Sequence, residues 1–236
     1  MIFGGIQKLT ILDYPDKTAC TLFTSGCNFR CPFCQNSSLL NPVTNEERTG
    51  NRYTINAVEV LDFLKTRKGL LDGVCISGGE PLMHDKLYIF LNEVKSLGFL
   101  VKIDTNGGYP KNLKKLISSG VIDYVALDIK NSPEKYAETI GLPEYDIAPV
   151  EESITLLYSS TLKYEFRTTV VREFHTGDDL ITVAKWLPKK AKYILQGFSD
   201  SNEVLQHGLH AYSDDEMRKF LQRVLDIQPE AELRGI

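Results

Sequence analysis

At 236 residues, 42% apolar and 25% charged, the chain has the composition of a folded globule, which excludes intrinsic disorder, a collagen-like rod and a coiled coil. A chain of this length buries ~70% or more of its unfolded surface without disulfides or metals, so a metal found here would serve chemistry. The net charge of −4 gives no electrostatic footprint for nucleic acid or an anionic membrane.

The longest uncharged stretch, 15 residues at 31–45, is rich in polar groups. A membrane span needs ~20 apolar residues. Residues 1–14 form a short mixed segment with Lys8 and Asp13 and lack a signal-peptide core. The expected location is the cytoplasm. Five cysteines, an odd count, argue there against a disulfide framework.

In chain order, β-type runs at 18–24, 73–77, 100–105, 124–129, 164–171 and 192–196 alternate with helical patterns. The helical segments are 56–67, 86–97, 111–119, 133–140, 149–159 and 177–187. Ala57, Val60, Leu61 and Leu64 share one helical face. Thr54 and Ser132 are candidate helix starts, and Pro133 suits a first helical position. After residue 199 come an amphipathic helix at 214–226 and a tail at 232–236 able to add an edge strand. Alternating strands and helices predict an α/β fold with a parallel sheet. Six units suit an open, incomplete barrel, with the active site at the carboxyl ends of the strands.

The unusual residues gather at those ends. Cys27, Cys31 and Cys34 follow the first strand. Three thiolates can hold zinc or an iron–sulfur cluster. The same i, i+4, i+7 spacing also fits a buried helical stripe, but Pro32 breaks a helix there and favours a loop. No second Cys or His pair completes a structural zinc site. Three cysteines on a four-iron cluster leave one iron open to a substrate or cofactor, by analogy with open catalytic zinc sites.

Ser77-Gly78-Gly79-Glu80-Pro81 ends the second strand. Two glycines let a backbone approach a ligand, and Glu80 adds a charge that suits an ammonium; a plain turn is the alternative. Asp104-Thr105-Asn106-Gly107 ends the third strand, and Asp128 and Lys130 end the fourth. Arg167, Thr169 and Val171 share one face of the fifth run. An inward Arg167 needs a carboxylate or ligand partner, whereas an outward one is solvated. Gln196 ends the sixth strand.

The Cys27-x3-Cys31-x2-Cys34 loop, with Phe33 inside it, resembles the signature of the radical S-adenosylmethionine (SAM) superfamily. Ser77–Pro81 resembles that family's second motif. The resemblance implies an incomplete (β/α)6 TIM-like barrel of the radical SAM type, one domain over 1–236 with its core at about 16–200 and a helix and tail at 201–236. It implies that Cys27, Cys31 and Cys34 ligate a [4Fe-4S] cluster whose open iron is chelated by the methionine end of SAM. One electron then cleaves SAM to a deoxyadenosyl radical that abstracts hydrogen. Gly78, Gly79 and Glu80 would hold the methionine amino group. The Phe33 backbone would lie near the adenine, and Lys130, Arg167 and Gln196 would be further SAM contacts.

Ile103–Gly107 and Leu127–Lys130 resemble the glycyl-radical-enzyme activating enzymes. In that subgroup the positions of Asp104, Thr105 and Asp128 form a monovalent-cation site beside SAM; turn chemistry explains the same residues. Gln196 stands where pyruvate formate-lyase activators have His. The Asp13-Tyr14-Pro15-Asp16 opening and the 164–171 run look most like activators of anaerobic ribonucleoside-triphosphate reductase. Implied partners are that reductase and a flavodoxin- or ferredoxin-type electron donor, with no nucleic acid and no membrane. Asp13 and the loop after Cys34 are expected to line the mouth that receives a glycine loop. The alternatives are activation of pyruvate formate-lyase or another glycyl-radical enzyme, action on a small substrate, and a non-catalytic iron–sulfur or zinc module.

Overall fold

Parallel strands covered on both faces need near-continuous apolar runs, and this chain supplies them. Five of the six residues of β3 (Ala19–Thr24) are buried, as are the first four of β5 (Gly73–Gly78). The structure is a computed structural model that describes residues 1–42, 54–201 and 203–236. Residues 43–53 of the expected mouth loop lie outside the described residues.

Among the described residues the main sheet has eight strands. β3 and β5 are followed by β6 (Leu100–Thr105), β7 (Tyr124–Asp128), β8 (Lys163–Val170) and β9 (Tyr193–Gly197), each parallel to the one before. These are the six predicted strands, to within a residue or two at their ends. β2 (Gly5–Thr10) flanks β3 antiparallel, and β10 (Glu232–Arg234) flanks β9 parallel. The tail therefore does add the expected edge strand. Among the described residues the two edges, β2 and β10, do not pair, so the α/β sheet is an open, partial barrel.

Helices α1 (Ala57–Lys65), α2 (Leu87–Ser96), α3 (Pro110–Ser119), α5 (Ala148–Tyr158) and α6 (Gly177–Trp186) connect the parallel strands, and α7 (Asp214–Leu225) leads into β10. Their apolar faces build the core: Val60 and Leu64 of α1, Phe90 and Val94 of α2, Leu180 and Val183 of α6. Capping boxes at Asn56–Glu59, Thr176–Asp179 and Ser213–Glu216 fix three helix starts, each typically contributing ~1 kcal/mol.

Three local expectations change. Asn56, not Thr54, caps α1, because residues 55–56 form the short strand β4 paired with β1 (Ile2–Phe3). The segment 133–140 is not one helix. The Ser132 side chain makes no cap bond, so a 3-10 turn, Pro133–Lys135, precedes the short α4 (Tyr136–Thr139). The mixed segment at 1–14 holds the antiparallel edge strand β2. Its apolar residues Leu9, Ile11 and Leu12 are 62%, 71% and 80% exposed.

Candidate active site

The carboxyl ends of the parallel strands surround a cavity of about 300 Å³. Cys27, Cys31 and Cys34 line it together with Phe33, Gly78, Gly79, Asp104, Thr105, Asp128, Lys130, Arg167 and Gln196. Every predicted site residue except Glu80 reaches this one space. The ring follows from strand geometry: parallel strands end on the same side, so residues distant in sequence converge there.

The cysteine loop is held by its backbone. Gly26 and Cys27 N–H groups donate to the Leu39 and Leu40 carbonyls at 2.7 and 3.2 Å, and Arg30 N–H donates to Ile140 at 2.9 Å. From beyond β9, Gln206 N–H donates to the Pro32 carbonyl and Leu205 N–H to the Cys34 carbonyl, at 2.9 and 3.1 Å. The residues after 199, which matched no motif, thus clasp the cysteine loop. All three thiols are free. Burial pushes Cys27 to about 11 and Cys31 to about 12. Cys27 Sγ accepts from Phe29 N–H at 3.4 Å and from Asn106 Nδ2 at 3.8 Å. Among the described residues no three His, Cys, Asp or Glu side chains converge tightly enough to hold a single metal ion.

Phe33 is buried, its ring 5.6 Å from Phe174 and 6.1 Å from His175. His175 Nδ1 accepts from Val171 N–H, which leaves the proton on Nε2 for the Lys130 carbonyl at 2.7 Å. Burial holds this imidazole below its usual pKa. Neutral His175 therefore ties the cysteine loop to the end of β7.

The glycine pair serves a purpose that spacing did not reveal. A Cβ on Gly78, whose φ is +105°, would meet the Thr24 backbone at 2.5 Å, and one on Gly79 would strike the Gly26 carbonyl oxygen. Glycines are required here because this turn packs against the root of the cysteine loop. Glu80 N–H donates to that same Gly26 carbonyl at 2.8 Å.

The Glu80 side chain does not offer its charge to the cavity. It is 1% exposed. Its Oε1 accepts from Leu82 N–H at 3.0 Å and the Thr105 hydroxyl at 2.7 Å, and its Oε2 accepts from Asn106 N–H at 2.8 Å. Burial drives the carboxyl up and these donors pull it back, to about 7. Glu80 fastens the second motif to the third.

Arg167 faces inward and is paired. Its Nε and Nη2 both reach Asp128 Oδ1 at 2.9 Å, and Nη2 lies 3.5 Å from Asp104 Oδ2. Lys130 Nζ meets Asp128 Oδ2 at 3.0 Å, and buried Lys102, which motif reasoning missed, pairs with Asp104. Burial raises Asp128, but Arg167 and Lys130 outweigh it and hold the carboxyl at about 2. At the expected cation positions, Asp104, Thr105 and Asp128, the chain's own groups stand close. Both carboxylates are already matched by protein cations, and the Thr105 hydroxyl is turned to Glu80. Asp13, expected at the mouth, lines the same cavity. It accepts from the Thr21 hydroxyl, midway along β3.

Residues 21–187 match the radical SAM superfamily. Over 241 aligned residues, covering all of this chain and 90% of the relative, the sequence is 33% identical to a Methanocaldococcus jannaschii protein provisionally named as a glycyl-radical enzyme activating enzyme. It is 35% identical over 122 residues, 49% of this chain and 48% of the relative, to a pyruvate formate-lyase-activating enzyme of Listeria monocytogenes. Streptococcus suis SuiB bound to S-adenosylmethionine superposes on 90% of this chain with a TM-score of 0.63 at 16% identity; the chain spans about half (48%) of that structure. The fold, the three-cysteine loop and these likenesses agree: the chain belongs to the radical SAM superfamily and is an enzyme of the radical SAM type.

Proposed function

We propose that this chain is an activase that uses a [4Fe-4S] cluster and SAM to remove a hydrogen atom from a glycine of a partner enzyme, the partner being anaerobic ribonucleoside-triphosphate reductase. The observation that carries the reading is the meeting of the three-cysteine loop, the Gly78–Gly79 turn and the Asp128–Arg167–Lys130 group on one cavity. Residues 1–236 act as one unit in this reading.

The donor set fits a cluster. Three free thiols on one loop reach the cavity, and among the described residues no His or fourth Cys lines it with them, a donor set that suits a four-iron cluster with one iron left open. When bound, the cluster and SAM supply the electron and the carbon-centred radical that takes the hydrogen atom. The chain binds and orients. Cys27, Cys31 and Cys34 would hold the cluster as thiolates. The Gly78–Gly79 backbone receives the methionine amino end, and Glu80 keeps that turn in register with Asn106. Lys130 has three donors and gives one to Asp128, leaving the rest for the SAM carboxylate. Arg167, Asp104 and Gln196 complete the wall, and the Phe33 backbone meets the adenine. Glycine suits such a substrate because a backbone without Cβ enters a tight site. The electron donor is of flavodoxin or ferredoxin type.

A second reading, activation of pyruvate formate-lyase, draws on the 35% identity to the Listeria activator over half the chain. One experiment separates the two. The reconstituted protein, SAM and reductant are mixed anaerobically with each candidate partner and followed by electron paramagnetic resonance. A glycine-centred signal in the reductase, with equimolar deoxyadenosine, is expected. A signal in the lyase alone overturns the partner. Iron binding without SAM cleavage overturns the activity and leaves a non-catalytic module.

A further inference from the structure

One pleat below Arg167 on β8, the inner face of the sheet carries a second ion pair that the proposed reaction does not use. Glu165 is 0% exposed. Its Oε1 accepts from Arg234 Nη1 at 2.8 Å, and its Oε2 accepts from Arg234 Nη2 and the Tyr124 hydroxyl, each at 3.0 Å. Arg234 arrives from β10, 69 residues away in sequence, where it stands opposite Gln196 of β9. Burial pushes Glu165 up, but the Arg234 fork outweighs it and holds the carboxyl below its usual range.

A carboxylate stripped of its partner in such a place takes the nearest cation it can reach. For Glu165 the next inward cation on its own strand is Arg167, ~7 Å further along by strand rise. Arg167 is also the group that holds Asp128 and Asp104 at the cavity wall. The Arg167 guanidinium feels the charge of Glu165 below as well as those of Asp104 and Asp128, but contacts only the latter two.

We infer that Arg234 is a positioning residue for Arg167: its two-pronged hold on Glu165 stops that carboxylate from competing with Asp128 and Asp104, and so keeps the basic wall of the cavity in place. The consequence for SAM rests on the function proposed above; the competition itself does not.

The test compares wild type, R234L and E165Q/R234L. In each, the Arg167 side-chain Nε–H resonance, assigned with R167K, is followed by NMR without cluster or SAM. SAM affinity is then measured on reconstituted protein of equal iron content. R234L is expected to shift the Arg167 resonance and weaken SAM about tenfold or more, since an uncompensated buried charge is left behind. E165Q/R234L, in which that charge is gone, is expected to restore both. A merely structural arginine predicts that the double variant is as impaired as R234L. An unmoved Arg167 resonance in R234L, or a shifted one in the double variant, overturns the inference. Should R234L not fold, R234K replaces it and is expected to show a smaller shift that E165Q/R234L lacks. A resonance that behaves as expected in a protein that binds no SAM upholds the positioning role and sinks the proposed function instead.

Discussion

The carbonyl oxygen of Gly26 stands 2.1 Å from the point a Cβ on Gly79 would occupy. No flexible side chain intervenes, so the cysteine loop itself must move if Gly79 gains a methyl group. Gly79→Ala is therefore expected to lower both iron content and SAM binding, and to cost about 1–3 kcal/mol of stability by overpacking. Iron analysis and urea melts check this. Full iron with SAM binding alone impaired would mean that the turn meets the ligand and not the loop.

Replacing Cys27, Cys31 or Cys34 by Ala should abolish SAM cleavage and iron–sulfur absorbance after anaerobic reconstitution, where wild type should take up about four irons per chain. Cys20→Ala and Cys75→Ala should leave both intact, because these two thiols are buried within β3 and β5. Stoichiometric zinc with no iron uptake would refute the cluster.

Glu80 carries a pH signature. Its folded value of about 7 lies above the usual 4.5, so the folded chain binds that proton more tightly than the unfolded one. The associated stability is complete below about pH 4.5 and is lost as pH rises through 7, by about 3 kcal/mol in all. Urea midpoints of wild type and Glu80→Gln, measured from pH 5 to 8, isolate this term. Wild type should fall relative to the variant as pH rises. A constant difference between the two would show that the donors from Leu82, Thr105 and Asn106 keep Glu80 ionised throughout.

Because Lys102, Arg167 and Lys130 already match Asp104 and Asp128, SAM cleavage should run alike in sodium, potassium and a bulky organic cation. Asp104→Ala should destabilise by about 3–5 kcal/mol by stranding the Lys102 ammonium, which is 1% exposed. Lys102→Met combined with Asp104→Ala should recover much of that loss. A strict potassium requirement would place a bound cation beside these carboxylates after all.

The sequence displayed what is local and hid what is not. The three cysteines lie within eight residues and Pro32 marks them as a loop, so their joint role was readable. The six parallel strands announced themselves as apolar runs bounded by turns. The place of the Gly78–Gly79 turn was readable too, but its reason was not, because Gly26 lies 53 residues earlier. The Glu80 charge looked available until its three donors, two of them from the third motif, were in view. Backbone bonds such as Gln206 N–H to Pro32 leave no trace in side-chain identity, so the helix and edge strand after residue 199 were readable but the hold of 205–206 on the cysteine loop was not. β2 escaped because Gln7 and Lys8 stand side by side between Ile6 and Leu9, which breaks the alternation that marks a half-buried strand.

That same clasp bears on how the protein would live with oxygen. Ties from residues 39–40, 140 and 205–206 reach the loop at its start, middle and end, and all are made by main-chain atoms alone. None involves a cysteine sulfur. In small zinc domains the metal is what folds the chain, and stripping it unfolds the protein. Here the scaffold is secured separately from the prosthetic group. Oxidative damage should accordingly be reparable in place: iron, sulfide and electrons can be resupplied to the existing chain, with no need for fresh synthesis.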